Sequence, residues 1–325
     1  MATPLLIQRP AFDFSFSSFV ISLSAPIPRM NFHRLLRHIL APFAALLLSS
    51  CATVAPPKPA DALHPRRPPE TAFDRGLGTD RVLCLRLQSE RGDNWRFLVD
   101  TGSPITIFNS SVRRKLGPSL GIEPVQYAWS GAANLQIHDA PRLFLNNTLL
   151  LNGPHVWSDD LHRVWPGRGI DGILGLDCLR HYCVQLDFST HTIRFLDPER
   201  ATGPELGRPY PIQTVGSSIF IQADLLGNGP MLYQVDTGCT VDAVIPPQLF
   251  ERAWKRQQPA WMRQFPSGEG RLVVEAGFPQ GTFDGEMFHQ LVVDAANHSF
   301  LGLRFFARHV VTLNFPKHTL YLRRI

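Results

Sequence analysis

The sequence predicts an all-β chain made of two homologous halves. Two observations carry this. First, Phe97-Leu98-Val99-Asp100-Thr101-Gly102-Ser103 recurs as Tyr233-Gln234-Val235-Asp236-Thr237-Gly238-Cys239. Each copy ends a short apolar run, so each aspartate falls where a strand breaks into a tight turn. Gly102 and Gly238 are then expected to let that turn close without a Cβ clash. Second, Ile173-Leu174-Gly175-Leu176 returns as Phe300-Leu301-Gly302-Leu303, and from these glycines the copies run in step without a gap. Val184 answers Val311, Leu186 answers Leu313, Asp187-Phe188 answers Asn314-Phe315, and His191-Thr192-Ile193 answers His318-Thr319-Leu320. Asp100 to Gly175 is 75 residues and Asp236 to Gly302 is 66. A difference of that size is what surface-loop insertions produce. Each half is then about 120 residues, within the usual range for a domain.

In the first half, Val82 to Leu87 reads as a strand. Glu90 to Asn94, with Gly92, reads as a hairpin turn, and Arg96 to Val99 as the returning strand that delivers Asp100. Ile105 to Phe108 is a further β-rich run. Asn109-Ser110-Ser111 reads as a helix N-cap, and Gly117-Pro118 stops that short helix after Leu116. The second half copies the order. Ser218 to Leu225 precedes a turn at Gly227-Asn228-Gly229, Met231 to Val235 leads into Asp236, and a helix begins near Pro246-Pro247 carrying Phe250 and Trp254. Between motif and glycine each half has room for a hairpin: Val125 to Ile137 in the first, and Ser267-Gly268-Glu269-Gly270 with Arg271 to Ala276 in the second.

The paired Asp-Thr-Gly turns, each followed by an apolar-apolar-Gly segment, resemble the aspartic peptidases, both pepsin-like and retropepsin-like. The spelling Ile173-Leu174-Gly175-Leu176-Asp177 is similar to that of bacterial retropepsin-like proteins. The resemblance covers roughly residues 80–325. It implies two six-to-seven-stranded β-barrel lobes, 76–200 and 205–325, related by a pseudo-two-fold axis with a cleft between them. It also implies that Asp100 and Asp236 are the catalytic pair and share a water. Thr101, Gly102, Ser103, Thr237, Gly238 and Cys239 would support the pair, with the threonines bracing the turns across the interface. Ser103 is expected to donate to the outer oxygen of Asp100. Cys239 departs from the family's Ser, Thr or Ala, and a thiol is a weak donor. That predicts that Asp236 is the less well held as an anion. The family's flap over the cleft points to Tyr127, Trp129 and Gly131 as substrate contacts. A structural aromatic at a hairpin is the competing reading, since aromatics favour strands.

Two carboxylates within hydrogen-bond reach cannot both ionise cheaply, so they hold one proton between them. One member can then act as base and the other as acid. This implies an aspartic endopeptidase acting on extended polypeptides. The alternative is a peptide-binding module of the same fold that cuts weakly or not at all. Because both motifs lie in one chain, a monomer is expected. No cofactor is implied.

Other residues compete poorly for chemistry. Ser103 has no histidine nearby in sequence that would make it a nucleophile. The twelve histidines are scattered, without HExxH or comparable spacing, so no metal site is expected. His181, His191 and His318 read as structural. Asp177 and Asp187 face Arg304 and Asn314 in the repeat and fail its symmetry, and Asp242, opposite Thr106, reads as a turn or solvent residue, with tuning of the site as the competing reading. Cys84, Cys178 and Cys183 correspond to Phe220, Phe305 and Val310, which suggests buried thiols. No disulfide is expected among these and Cys239.

Composition is that of a folded chain: 44% hydrophobic, 18% charged, net charge +5. Basic residues form no stripe interleaved with aromatics, so no nucleic-acid partner is indicated. At the N-terminus, residues 1–29 read as an extension ahead of a true start at Met30. His33, Arg34 and Arg37 precede the apolar stretch Ile39 to Leu48, which is too short to span a bilayer. Leu48-Ser49-Ser50-Cys51 resembles a bacterial lipobox. The resemblance implies a signal peptide over 30–50 and lipidation of Cys51. Residues 51–75, with Pro56-Pro57-Lys58-Pro59 and Pro65-Arg66-Arg67-Pro68-Pro69, read as a semi-rigid tether. The expected location is the bacterial cell envelope, membrane-anchored and facing the periplasm.

Overall fold

The computed structural model describes residues 66–74, 82–128, 131–164, 169–266 and 272–325. The expected signal peptide, Cys51, Trp129 and most of the tether lie outside the described residues. Among the described residues no helix is long and apolar enough to cross a membrane.

The fold is all-β. Three open sheets account for the strands among the described residues, and none closes into a barrel, which corrects the expected barrel lobes. The first half forms a nine-stranded sheet. Its order is Gly121–Tyr127, Gly131–Asp139, His155–Asp159, Ile107–Asn109, Gly172–Leu174, Asn94–Val99, Cys84–Ser89, Leu143–Leu145 and Thr148–Leu149. The second half forms an eight-stranded sheet in the order Gln213–Val215, Ser218–Asp224, Pro230–Asp236, Phe300–Gly302, Ala243–Ile245, Glu286–Ala295, Leu272–Phe283 and Trp261–Pro266. The third sheet takes strands from both halves, in the order Thr71–Ala72, Thr192–Leu196, Cys183–Asp187, His309–Asn314, Thr319–Arg324 and Arg208–Pro211. At its centre Cys183–Asp187 pairs antiparallel with His309–Asn314, so one ladder joins the halves. Gln185 adds a side-chain bond to Thr312 there, at 3.0 Å.

The glycine segments explain how each half is threaded. Gly172–Leu174 lies parallel to Asn94–Val99 and antiparallel to Ile107–Asn109. Phe300–Gly302 lies parallel to Pro230–Asp236 and antiparallel to Ala243–Ile245. In both halves the chain leaves the sheet at the aspartate, re-enters it, and receives the glycine segment between the two passes. That close approach excludes a side chain. A Cβ on Gly175 would stand 2.3 Å from the Ile105 carbonyl oxygen, and one on Gly302 would stand 2.2 Å from that of Val241.

The local readings mostly match. The first short helix is a 3-10 turn, Ser110–Lys115, capped by Asn109, whose side chain accepts the Ser111 N–H at 3.4 Å. The second is an α-helix, Pro247–Arg256, that buries Phe250 and Ala253. The hairpins form as Gly121–Tyr127 with Gly131–Asp139, and as Trp261–Pro266 with Leu272–Phe283. Residues 71–74 pack on the folded part of the chain. Thr71–Ala72 pairs with Thr192–Leu196, Phe73 is buried against Phe188 and His191, and Asp74 accepts from Arg96 Nε at 3.2 Å. One large apolar core spans both halves. Among the described residues three smaller ones lie apart from it, one around Leu98, Ile105 and Ile173, one around Cys239, Val241 and Phe300, and one of Cys183, Ala201 and Leu206.

Candidate active site

Asp100 follows the strand Asn94–Val99, and Asp236 is the last residue of Pro230–Asp236; both are fully buried. The turns that hold them meet through their threonines. Thr101 Oγ1 donates to the Val235 carbonyl at 2.8 Å, and Thr237 Oγ1 donates to that of Val99 at 2.7 Å. Each hydroxyl also accepts the other threonine's N–H, both at 3.0 Å. Four reciprocal bonds in a dry setting therefore fix the relative position of the two turns.

The glycines bring the carboxyls together. A Cβ on Gly102 would lie 2.5 Å from Cγ of Asp236, and one on Gly238 would lie 2.6 Å from Cγ of Asp100. Each carboxyl thus packs on the opposite turn's glycine. Neither glycine is among the residues of positive φ. What demands glycine here is therefore the opposing carboxyl rather than the turn's own backbone. Burial and the neighbouring Asp236 charge push the Asp100 carboxyl well above the usual carboxylate range, and Asp236 also meets it as a side-chain hydrogen-bond partner.

The supporting bonds differ from expectation at two residues. Ser103 Oγ donates to the Ile105 carbonyl at 2.7 Å and not to Asp100. At Cys239 it is the backbone N–H that bonds Asp236 Oδ1, at 3.0 Å, beside that of Gly238 at 2.9 Å. Gln234 was not singled out by the sequence. Its side chain donates across the interface to the Gly102 carbonyl at 3.2 Å, while Leu98 stands at its position in the first half.

Asp177, which fails the symmetry of the repeat, and Asp242, which reads as a turn or solvent residue, occupy equivalent contacts with the roles exchanged. In the first half Thr106 donates to Asp177 Oδ1 at 2.7 Å. In the second the acid sits at the Thr106 position, and Asp242 takes Arg304 and Arg308, each at 2.9 Å. Asp242 is buried, so the turn-or-solvent reading does not hold. Burial pushes both acids upward; Thr106 opposes this at Asp177, and the two guanidiniums oppose it at Asp242. The exchange was visible in the sequence only as a pair of mismatches, Thr106 with Asp242 and Asp177 with Arg304.

Tyr127 ends its strand with the ring 1% exposed in the smaller core around Leu98. Its hydroxyl donates to Asp159 at 2.8 Å, and burial raises its pKa well above the ordinary value. As placed, the ring faces inward and offers no surface to a ligand. Gly131 begins the returning strand at φ +77°. The hairpin does reach the other half: Ala128 packs on the cluster of Cys239, Val241, Val273 and Phe300. Cys84, Cys178, Cys183 and Cys239 are buried thiols, and burial raises the pKa of Cys183 to about 12.

No family model matches the chain. No curated protein matches it either.

Proposed function

We propose that this chain is an aspartic endopeptidase, with Asp100 and Asp236 as the dyad that activates water against a peptide bond. The observation that carries the reading is the cross-packing of two buried carboxyls on each other's glycines, locked by reciprocal threonine bonds. One carboxylate takes a proton from water as its oxygen attacks the peptide carbonyl carbon. The other carboxyl gives its proton to the carbonyl oxygen. Collapse of the resulting diol breaks the C–N bond: the amine leaves with the proton that the base took from water, and a diol hydroxyl returns its proton to the other carboxylate. In this reading the nine- and eight-stranded sheets are two retropepsin-like lobes about a pseudo-two-fold axis. The cleft lies between them, and the hairpin carrying Ala128 is its cover. The repeated threading of both glycine segments supports that relation. The lipobox-like Leu48–Cys51 stretch supports an anchored protein of the bacterial envelope, working on extended polypeptides as a monomer.

A peptide binder that no longer cuts is the second reading, motivated by Cys239. The flap motivates it as well, since Tyr127 is buried rather than facing a cleft.

The test is incubation of the full chain in detergent with a mixed peptide library from acid to neutral pH. Cleavage is expected, and Asp100→Asn and Asp236→Asn should each abolish it, with non-additive losses. A statine-type transition-state analogue should raise the wild type's melting temperature by mass action. No cleavage at any pH together with no protection by the analogue would end the peptidase reading.

A further inference from the structure

The two aspartates are not equivalent. Oδ1 of Asp236 accepts two backbone N–H groups, from Gly238 at 2.9 Å and Cys239 at 3.0 Å. Oδ1 of Asp100 accepts one close donor, Gly102 at 2.7 Å. The second N–H of each turn lies 3.3 Å from its own aspartate's main-chain carbonyl, Ser103 from Asp100 and Cys239 from Asp236, but Cys239 also reaches Asp236 Oδ1 whereas Ser103 is the weakest of the influences on the Asp100 carboxyl. The Ser103 hydroxyl, which could have made up the difference, is spent on Ile105. The first turn is also held in this shape from outside. Gln234 donates to the Gly102 carbonyl from the second half, where the first half has Leu98 and no donor to return the bond.

An ionised carboxylate accepts hydrogen bonds only, so donors aimed at it favour the charged form. Of two carboxyls sharing one proton, the one with more donors should be the anion. We propose that Asp236 is the charged member of the pair and that Asp100 carries the shared proton. On the peptidase reading, from which the assignment takes its chemical meaning, Asp236 removes the proton from water and Asp100 donates to the substrate carbonyl.

The surrounding groups are compatible with this order. The charged group acting on Asp100 is Asp236 itself. The turns bring the buried, uncharged Thr101, Ser103 and Thr237, and buried Cys239 follows Gly238. In the next layer Asp177 is engaged by Thr106, and Asp242 by Arg304 and Arg308. Burial and the Asp236 charge both act to keep the Asp100 proton in place.

The test separates the two carboxyls and needs no turnover. Asp100→Asn leaves Asp236 alone, and Asp236→Asn leaves Asp100 alone. Side-chain carboxyl 13C shifts are followed against pH in the full chain in detergent micelles. The lone Asp100 is expected to bind its proton at least about tenfold more tightly than the lone Asp236, a separation of one pKa unit or more. Equal values or the reverse order would overturn the assignment. Where a variant does not fold, the wild type gives the same comparison, with resonances assigned through the backbone. Asp100 should then stay protonated to higher pH than Asp236, and the opposite order overturns the proposal. The two readings fail separately. The expected order without any peptide cleavage supports the assignment and sinks only the peptidase. Cleavage with the order reversed sinks only the assignment.

Discussion

Thr101 and Thr237 tie the two aspartate turns to each other. Each side chain donates one bond and accepts another across the interface between halves. Replacing Thr101 by Val keeps the shape and removes the hydroxyl. The Thr237 N–H and the Val235 carbonyl then lose their partner in a dry place, where an unsatisfied group costs about 1–3 kcal/mol. Thr101→Val should therefore lower stability by about 2–4 kcal/mol in urea unfolding, while Thr101→Ser should recover most of it. A loss below about 0.5 kcal/mol would mean that the turns are held by packing alone. At this scale the aspartates, threonines and glycines were legible, because a motif met twice in matched surroundings names its own residues. The target of the Ser103 hydroxyl was not, nor was the Gln234 bond. A hydroxyl's partner depends on where neighbouring carbonyls point, and the Gln234 bond joins residues 132 apart.

At the scale of elements, strands and turns around the repeats could be read from apolar runs bounded by Gly, Pro and Asn. The segment Thr71–Ala72 could not. Two residues carry no periodicity, and the preceding prolines make it read as linker. Yet it adds the edge strand of the shared sheet, with Glu70 bonded to Arg194 at 2.6 Å and Phe73 buried behind it. A chain beginning at residue 76 should therefore be less stable than one beginning at residue 66, by about 2–4 kcal/mol, since burying one Phe is worth about 1.5–3 kcal/mol before any ladder bonds. Urea unfolding of the two chains checks this, and equal midpoints would return 71–74 to the tether. The hairpin tips show the same limit. Sequence leaves Tyr127 open between a flap contact and a structural aromatic, and the ring sits in a core with its hydroxyl on Asp159. Alternation places a side chain on one of two faces and does not say which face is covered.

At the scale of the whole molecule, the sheet that joins the halves also carries a pH liability. His309 begins the strand at the centre of that sheet, buried among Phe288 and Phe305, with Nδ1 on the Phe305 carbonyl at 3.1 Å. Burial lowers its pKa from 6.5 to about 4. The folded state thus prefers neutral His309, and stability that is complete above about pH 6.5 is lost as pH falls through about 4, by up to about 3 kcal/mol. Asp100 acts oppositely. Its raised pKa means that stability is lost as pH rises through the folded-state value. Comparing melting temperatures at pH 7 and pH 4.5, the wild type should fall more than His309→Leu, whatever constant offset the variant carries. Equal falls would remove His309 as the cause. The sequence by itself determined the all-β class, the two halves, the paired turns and the residues that could share a proton, because each leaves a local pattern and the pattern occurs twice. Only the tertiary structure decided that the sheets stay open, that a shared ladder makes one body of the two halves, that Asp242 is held by two arginines, and which carboxyl has the second N–H. Those are set by contacts between residues far apart in the chain, and their energies depend on burial and direction, which residue order does not record.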